Sequence, residues 1–156
     1  MGCCQCIGIE QEFNDKYVQR QLKKFHRQGL NKTTRLLIQA LIDRNITGAS
    51  VLDIGGGFGG IGLRLLNSGV SQYTLVEASP AYATAARQEL TSKFSPQLFT
   101  VNQGDFVTLS PETMEHDIVT LDRVICCYDD VELLVNTSCQ KAKQFYGVVF
   151  PIDSAI

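Results

Sequence analysis

The chain has 156 residues, 44% of them hydrophobic, with 14 Lys and Arg against 16 Asp and Glu, a net charge of −2 and a pI of about 5.6. That is enough for one globular domain with a sizeable core; the overall charge argues against a nucleic-acid partner, and no apolar run approaches the roughly 18 residues of a bilayer span. The N-terminus lacks the positive flank and apolar stretch of a secretory signal, so a cytoplasmic protein is expected.

Six cysteines fall as Cys3/Cys4/Cys6, Cys126/Cys127 and Cys139. Adjacent cysteines make poor disulfides, and a reducing compartment keeps thiols free. Cys3 and Cys6 form a single C-x-x-C that His26 and His116 are not spaced to complete, so no metal is expected. Met1-Gly2 before Cys3 and Cys4 approaches an acylation signal, but that pattern wants Ser or Thr where Cys6 stands. A loosely ordered tail is the expectation there.

Taken in order, residues 12–28 are strongly charged, with Phe13, Tyr17, Leu22 and Phe25 at helical spacing and Gly29 placed as a C-cap. A second helix is expected over residues 33–44, with Leu36, Leu37, Ala40 and Leu41 inward. Residues 1–45 therefore read as a tail and a helical cap, which either covers a cleft or simply packs on a sheet. Residues 46–156 read as an α/β domain.

Val51-Leu52-Asp53-Ile54 is a short apolar strand holding one carboxylate. Gly55, Gly56, Gly57 and Gly59 follow, with only Phe58 among them, and then Ile61, Leu63, Leu65 and Leu66 supply a helix face. Strand, glycine turn and helix open a doubly wound sheet, whose ligands sit beyond the carboxyl ends of the strands. Residues 73–77 form the next strand. Glu77, followed by Ala78, ends it some 22 residues after Gly55, placed to accept from two ribose hydroxyls. Ser79 caps and Pro80 starts a helix to about residue 93, with Ala83, Ala86 and Leu90 inward.

A third strand is expected over residues 97–102, and Gly104-Asp105-Phe106 follows it. There Asp105 can accept from an adenine amino group, and Phe106 can lie against the ring. Residues 116–122 are a buried fourth strand, with Asp122, Arg123, Cys126, Cys127 and Tyr128 at or past its carboxyl end. Cys126 and Cys127 are expected to pack as small hydrophobes. A helix over residues 129–145, with Val131, Leu134, Val135 and Cys139 inward, and a fifth strand over residues 146–150 complete the pattern.

Gly55, Gly57 and Gly60 satisfy G-x-G-x-x-G, so a dinucleotide is formally allowed. Asp53 argues otherwise, because a pyrophosphate at this turn would meet a carboxylate two residues before it. A ligand bearing an ammonium and a sulfonium would be drawn to it. The D-x-G-x-G pattern, the strand-end Glu77, the G-D-F turn and the D-I-V-T-L-D-R-V-I-C-C-Y segment resemble the class I S-adenosylmethionine (SAM) dependent methyltransferases over about residues 30–150. Thr33-Thr34-Arg35 and the C-C-Q-C start bring the resemblance nearest to the magnesium-protoporphyrin O-methyltransferase-like group.

The resemblance implies a Rossmann-like doubly wound sheet of about five parallel strands, a methyltransferase fold lacking its last strands. It implies SAM as cofactor, with Asp53 and the loop Gly55, Gly56, Gly57 and Gly59 facing the methionine moiety, Glu77 and Ala78 the ribose, and Asp105 and Phe106 the adenine. Asp122 would line the cleft near the transferred methyl, and Asp122 and Tyr128 stand as catalytic candidates, with Tyr17 and His26 as further acceptor-side nominees. The implied activity is methyl transfer to a small-molecule acceptor, with O-methylation foremost. The alternatives are a truncated SAM-binding partner subunit without activity and an NAD-dependent oxidoreductase. Where the porphyrin enzymes carry an I-H-Y stretch, Ile125-Cys126-Cys127-Tyr128 stands here, so a histidine's proton handling does not carry over. A chain ending after five strands would leave the fifth as an open edge through which copies could associate.

Overall fold

The computed structural model describes residues 4–152. Three helices come first: α1 (Cys4–Glu12), α2 (Asp15–Gln28) and α3 (Lys32–Ile42). Then follow β1 (Ser50–Ile54), α4 (Gly60–Asn67), β2 (Gln72–Glu77), α5 (Pro80–Thr91), β3 (Phe99–Gln103), α6 (Phe106–Leu109), β4 (His116–Asp122), α7 (Val131–Cys139) and β5 (Ala142–Val149). Short polar side chains set the helix starts by accepting otherwise orphaned N–H groups. Asn14 accepts from Tyr17, Asn31 from Thr34, Ser79 from Tyr82, Asp105 from Thr108 and Asp130 from Leu133.

The strands form one parallel sheet in the order β3-β2-β1-β4-β5. The chain winds one way from β1 to β3 and then crosses back to β4, so the switch point lies between β1 and β4. Strand side chains alternate between two apolar layers, as a period of two requires. Val51, Tyr73, Leu75 and Ile118 pack with Ile38 and Leu41 of α3, Ile61 and Leu65 of α4, and Ala86 and Leu90 of α5. Leu52, Ile54, Val76, Val119 and Leu121 face the other way, with Phe106 of α6 and Leu134 of α7. A third cluster joins Val18 and Leu22 of α2 to Ala85 of α5. Among the described residues no helix is long and apolar enough to cross a membrane.

The expected helix over residues 12–28 begins instead at Asp15, because Asn14 caps it, and α1 precedes it where a loosely ordered tail was expected. In α3 the inward face is Thr34, Ile38 and Leu41, with Leu37 half-buried. Leu36 is 60% exposed and Ala40 also faces out, because the face of α3 that packs into the core is the one carrying Leu37, Ile38 and Leu41. The third strand starts later than expected because Pro96–Leu98 is a single 3₁₀ turn. The last helix stops at Cys139, so residues 142–145, expected to be helical, are already strand, and Cys139 is exposed. Cys126 and Cys127 are exposed too, their sulfurs 3.4 Å apart, rather than packed inward. The Cys3/Cys4/Cys6 cluster includes Cys3 and side chains outside the described residues.

Candidate functional site

Beyond the carboxyl ends of β1, β2 and β4 lies a cleft of about 700 Å³. Its floor is the loop of residues 55–60, where Gly55, Gly57 and Gly59 hold φ of 67°, 60° and 82°, a left-handed backbone that side chains disfavour. Gly56 is glycine for another reason: a Cβ there would lie 2.1 Å from Asp53 Oδ2. The loop therefore rests directly on the Asp53 carboxylate.

Asp53 is fully buried and does not line the cleft. Its Oδ2 accepts from the Tyr73 hydroxyl at 2.6 Å and its Oδ1 from the Thr120 hydroxyl at 2.8 Å, tying β1 to both neighbouring strands. Burial pushes its pKa up to about 6, against the pull of these two donors, and the nearby Asp122 charge adds to the rise. Asp53, expected to face the ligand, instead supports the glycine loop from below, and it is loop backbone that borders the cleft above it.

Glu77 does line the cleft, though it is only 6% exposed. Its Oε2 accepts from the Gly57 N–H at 2.8 Å and its Oε1 from the Ser79 N–H at 2.9 Å, so it joins the glycine loop to the start of α5. Burial raises its pKa to about 7, opposed by the Ser79 and Gly57 N–H groups and reinforced by Asp53. The Ala78 N–H also lowers it, so the carboxylate is held by backbone donors on the side of the loop and the α5 start. Ala78, Asp105 and Phe106 line the same wall. Asp105 is partly committed: Oδ2 accepts from Thr108, and Oδ1 accepts from the Tyr128 hydroxyl at 2.9 Å.

The opposite wall comes from the N-terminal helices. Ile9, Glu12, Phe13, Tyr17, Gln21, Lys24, Phe25, Lys32, Thr34 and Arg35 all line the cleft, so this segment covers it as well as packing on the sheet. Two hydrogen bonds hold the cover: the Ser79 hydroxyl donates to the Phe13 carbonyl at 3.1 Å, and the Thr34 hydroxyl donates to Asp122 Oδ2. Asp122 also accepts from Arg123 Nε at 3.2 Å. Arg123 itself sits at φ 59°, its N–H donating to Val149 of β5. Phe13, Tyr17, Phe25, Phe58 and Tyr82 form a contiguous aromatic face beside the glycine loop.

Thus the fold gathers Gly55, Gly56, Gly57, Glu77, Ala78, Asp105, Phe106, Asp122, Tyr128 and Tyr17 around one cleft. Gly59 lies in the loop against Leu90 and Ala86, just behind that lining. His26 stays outside, paired with Glu89 at 3.1 Å. Tyr73 and Thr120, which hold Asp53, were not singled out from sequence, and Thr34 was named only within the Thr33-Thr34-Arg35 motif and not as the partner of Asp122, since each meets its aspartate only after folding. Cys127 lines the mouth of the cleft.

Comparison with known proteins agrees with this architecture. The methyltransferase small domain family matches residues 17–121. No curated protein matches the sequence. Magnesium protoporphyrin IX methyltransferase from Synechocystis PCC 6803 superposes in its S-adenosylhomocysteine-bound structure with TM-score 0.74 at 18% identity, covering 89% of this chain and 68% of that one. Its SAM-bound structure gives 0.64 at 21% identity, covering 81% and 59%. A candidate RNA methyltransferase from Pyrococcus horikoshii gives 0.62 at 19% identity, covering 74% and 56%. The chain thus spans a little over half the length of two of these three structures. A matched family core, a five-stranded parallel sheet and a glycine-floored cleft at the switch point lead to one statement: the chain belongs to the methyltransferase small domain family and carries the Rossmann-like fold of class I SAM-dependent methyltransferases.

Proposed function

We propose that this chain binds SAM in the cleft and transfers its methyl group to an oxygen of an acceptor admitted past Asp122. The observation that carries the reading is Glu77, a buried carboxylate at the end of β2 that lines a glycine-floored cleft and is fixed there by the Gly57 and Ser79 N–H groups. Two vicinal ribose hydroxyls suit it. A positively charged ligand above Asp53 and Glu77 would also offset their mutual repulsion and burial cost, which a pyrophosphate would worsen. That contrast disfavours NAD.

Bound there, SAM supplies a methyl group already activated by its sulfonium. The chain's part is alignment, exclusion of water by α1 and α2, and management of the acceptor's proton. Asp122, oriented by Thr34 and Arg123, would take a hydroxyl proton, and Tyr128 would hold Asp105 in place for the adenine. The cleft volume, part of which the cofactor would fill, supports an acceptor group of small-molecule size at the reacting end. The cationic border of the mouth, Lys24, Lys32 and Arg35, favours a second reading in which the acceptor is one unit of a larger anion.

Calorimetric titration with SAM, with NAD as control, tests the assignment. Micromolar SAM binding, no NAD binding, and at least tenfold weaker SAM binding in a folded Glu77→Ala variant are expected. Wild-type SAM affinity in that variant would sink the site.

A further inference from the structure

The net charge of −2 conceals a sharp segregation. Residues 16–35 contain Lys16, Arg20, Lys23, Lys24, Arg27, Lys32 and Arg35, half of the chain's 14 cations, and none of its 16 acids. An ordinary amphipathic surface helix mixes both signs on its polar face. Here the acids nearest in sequence are Glu12, which ends α1, and Asp15, the first residue of α2.

Five of the cations lie at positions 16, 20, 23, 24 and 27, the i, i+4, i+7, i+8 and i+11 spacing of a single helix stripe. Val18 and Leu22, buried against α5, put that stripe on the side of α2 away from the core, and all five side chains are exposed. Among the described residues the ion pairs are His26–Glu89 and Arg123–Asp122, and neither uses any of the seven. Arg20 lies over the Tyr17 ring at 5.9 Å, so an aromatic face is set within the same stripe.

The stripe also leads to the cleft. Tyr17, Arg20, Gln21, Lys23, Lys24, Arg27 and Gln28 line a shallow, open strip of surface along α2. Tyr17, Gln21, Lys24 and Gln28 line the cofactor cleft as well, and Lys32 and Arg35 continue the positive border around its mouth. A strip that combines a line of cations with an aromatic platform is the arrangement that tracks a single-stranded nucleic-acid backbone. From Lys16 to Arg27 the stripe runs roughly 16 Å at the α-helical rise, longer than a small acceptor needs.

We propose that the α2–α3 face docks a single-stranded nucleic acid and presents one nucleotide of it to the cleft as the acceptor unit. This rests on the methyl-transfer reading for the chemistry, while the docking itself does not. It reverses the expectation drawn from net charge, because binding follows the local field rather than the sum.

The test is fluorescence anisotropy of a labelled 20-nucleotide single-stranded RNA, with DNA of the same sequence in parallel to tell the two sources apart, alongside SAM calorimetry. Expected are binding at 50 mM salt and an affinity about a hundredfold weaker at 200 mM, as about five phosphate contacts on a single strand would give. Charge reversal at Lys23→Glu with Arg27→Glu, two exposed positions outside the cofactor cleft, should weaken RNA binding at least tenfold and leave SAM affinity unchanged. No binding of either strand at 50 mM salt, or affinity untouched by the double reversal, would overturn the proposal. Strand binding without SAM binding would overturn the methyl-transfer reading and leave the docking face standing.

Discussion

At the residue scale, the unusual groups are two carboxylates kept out of water. Asp53 is held up to about 6 and Glu77 to about 7, against ordinary values of 3.8 and 4.5. Between those limits the folded chain keeps protons that the unfolded chain has released. Their contribution to stability is therefore fully present below about pH 4 and is lost as pH rises, until each has ionised in the fold. For each group the loss is of the order of 3 kcal/mol. Asp53→Asn cannot ionise, and its amide can still meet Tyr73 and Thr120. The stability of the ligand-free wild type relative to this variant should fall as pH rises from 4 to 7, measured by urea unfolding at several pH values. A flat or rising difference would contradict the burial of an ionisable group there. SAM binding to the ionised pair should strengthen over the same interval, for the same reason.

At the element scale, α4 sits so close to β2 that the contact has no room for a side chain. A Cβ on Gly62 would come within 2.4 Å of the Tyr73 ring, the residue that also donates to Asp53. Gly62→Ala should destabilise the domain by about 1–3 kcal/mol through overpacking, despite alanine's better helix propensity. Unchanged thermal stability would show that the ring moves aside freely. This contact also marks the limit of what sequence alone could reveal. Strand β1, the glycine loop, Glu77 and the α5 start were legible because each is a local signal: an apolar run, a dense set of glycines, an acid at a strand end, a Ser-Pro cap. Tyr73 under Asp53, Thr34 against Asp122 and the aromatic face of Phe13, Tyr17 and Tyr82 join residues far apart in the chain. The outward turn of Leu36 was equally hidden, since which of two neighbouring apolar stripes turns inward is decided by packing against the core.

At the scale of the whole molecule, β5 pairs with β4 and is the last strand of the sheet on that side among the described residues. Phe150 and Ile152, just past it, are 58% and 85% exposed. An open strand edge with apolar residues beside it is a template for pairing. We expect this chain to self-associate through that edge, read as a concentration-dependent sedimentation coefficient. A single monomeric species across the micromolar range would count against it.

The separation of charge along α2 has a mechanical meaning as well. A body of net charge −2 drifts slowly in an electric field, yet one with its cations massed beside the cleft is turned strongly by it. Near an anionic surface the torque acts before contact, and it swings the positive helix, and the cleft mouth beside it, toward that surface. The molecule arrives already aimed.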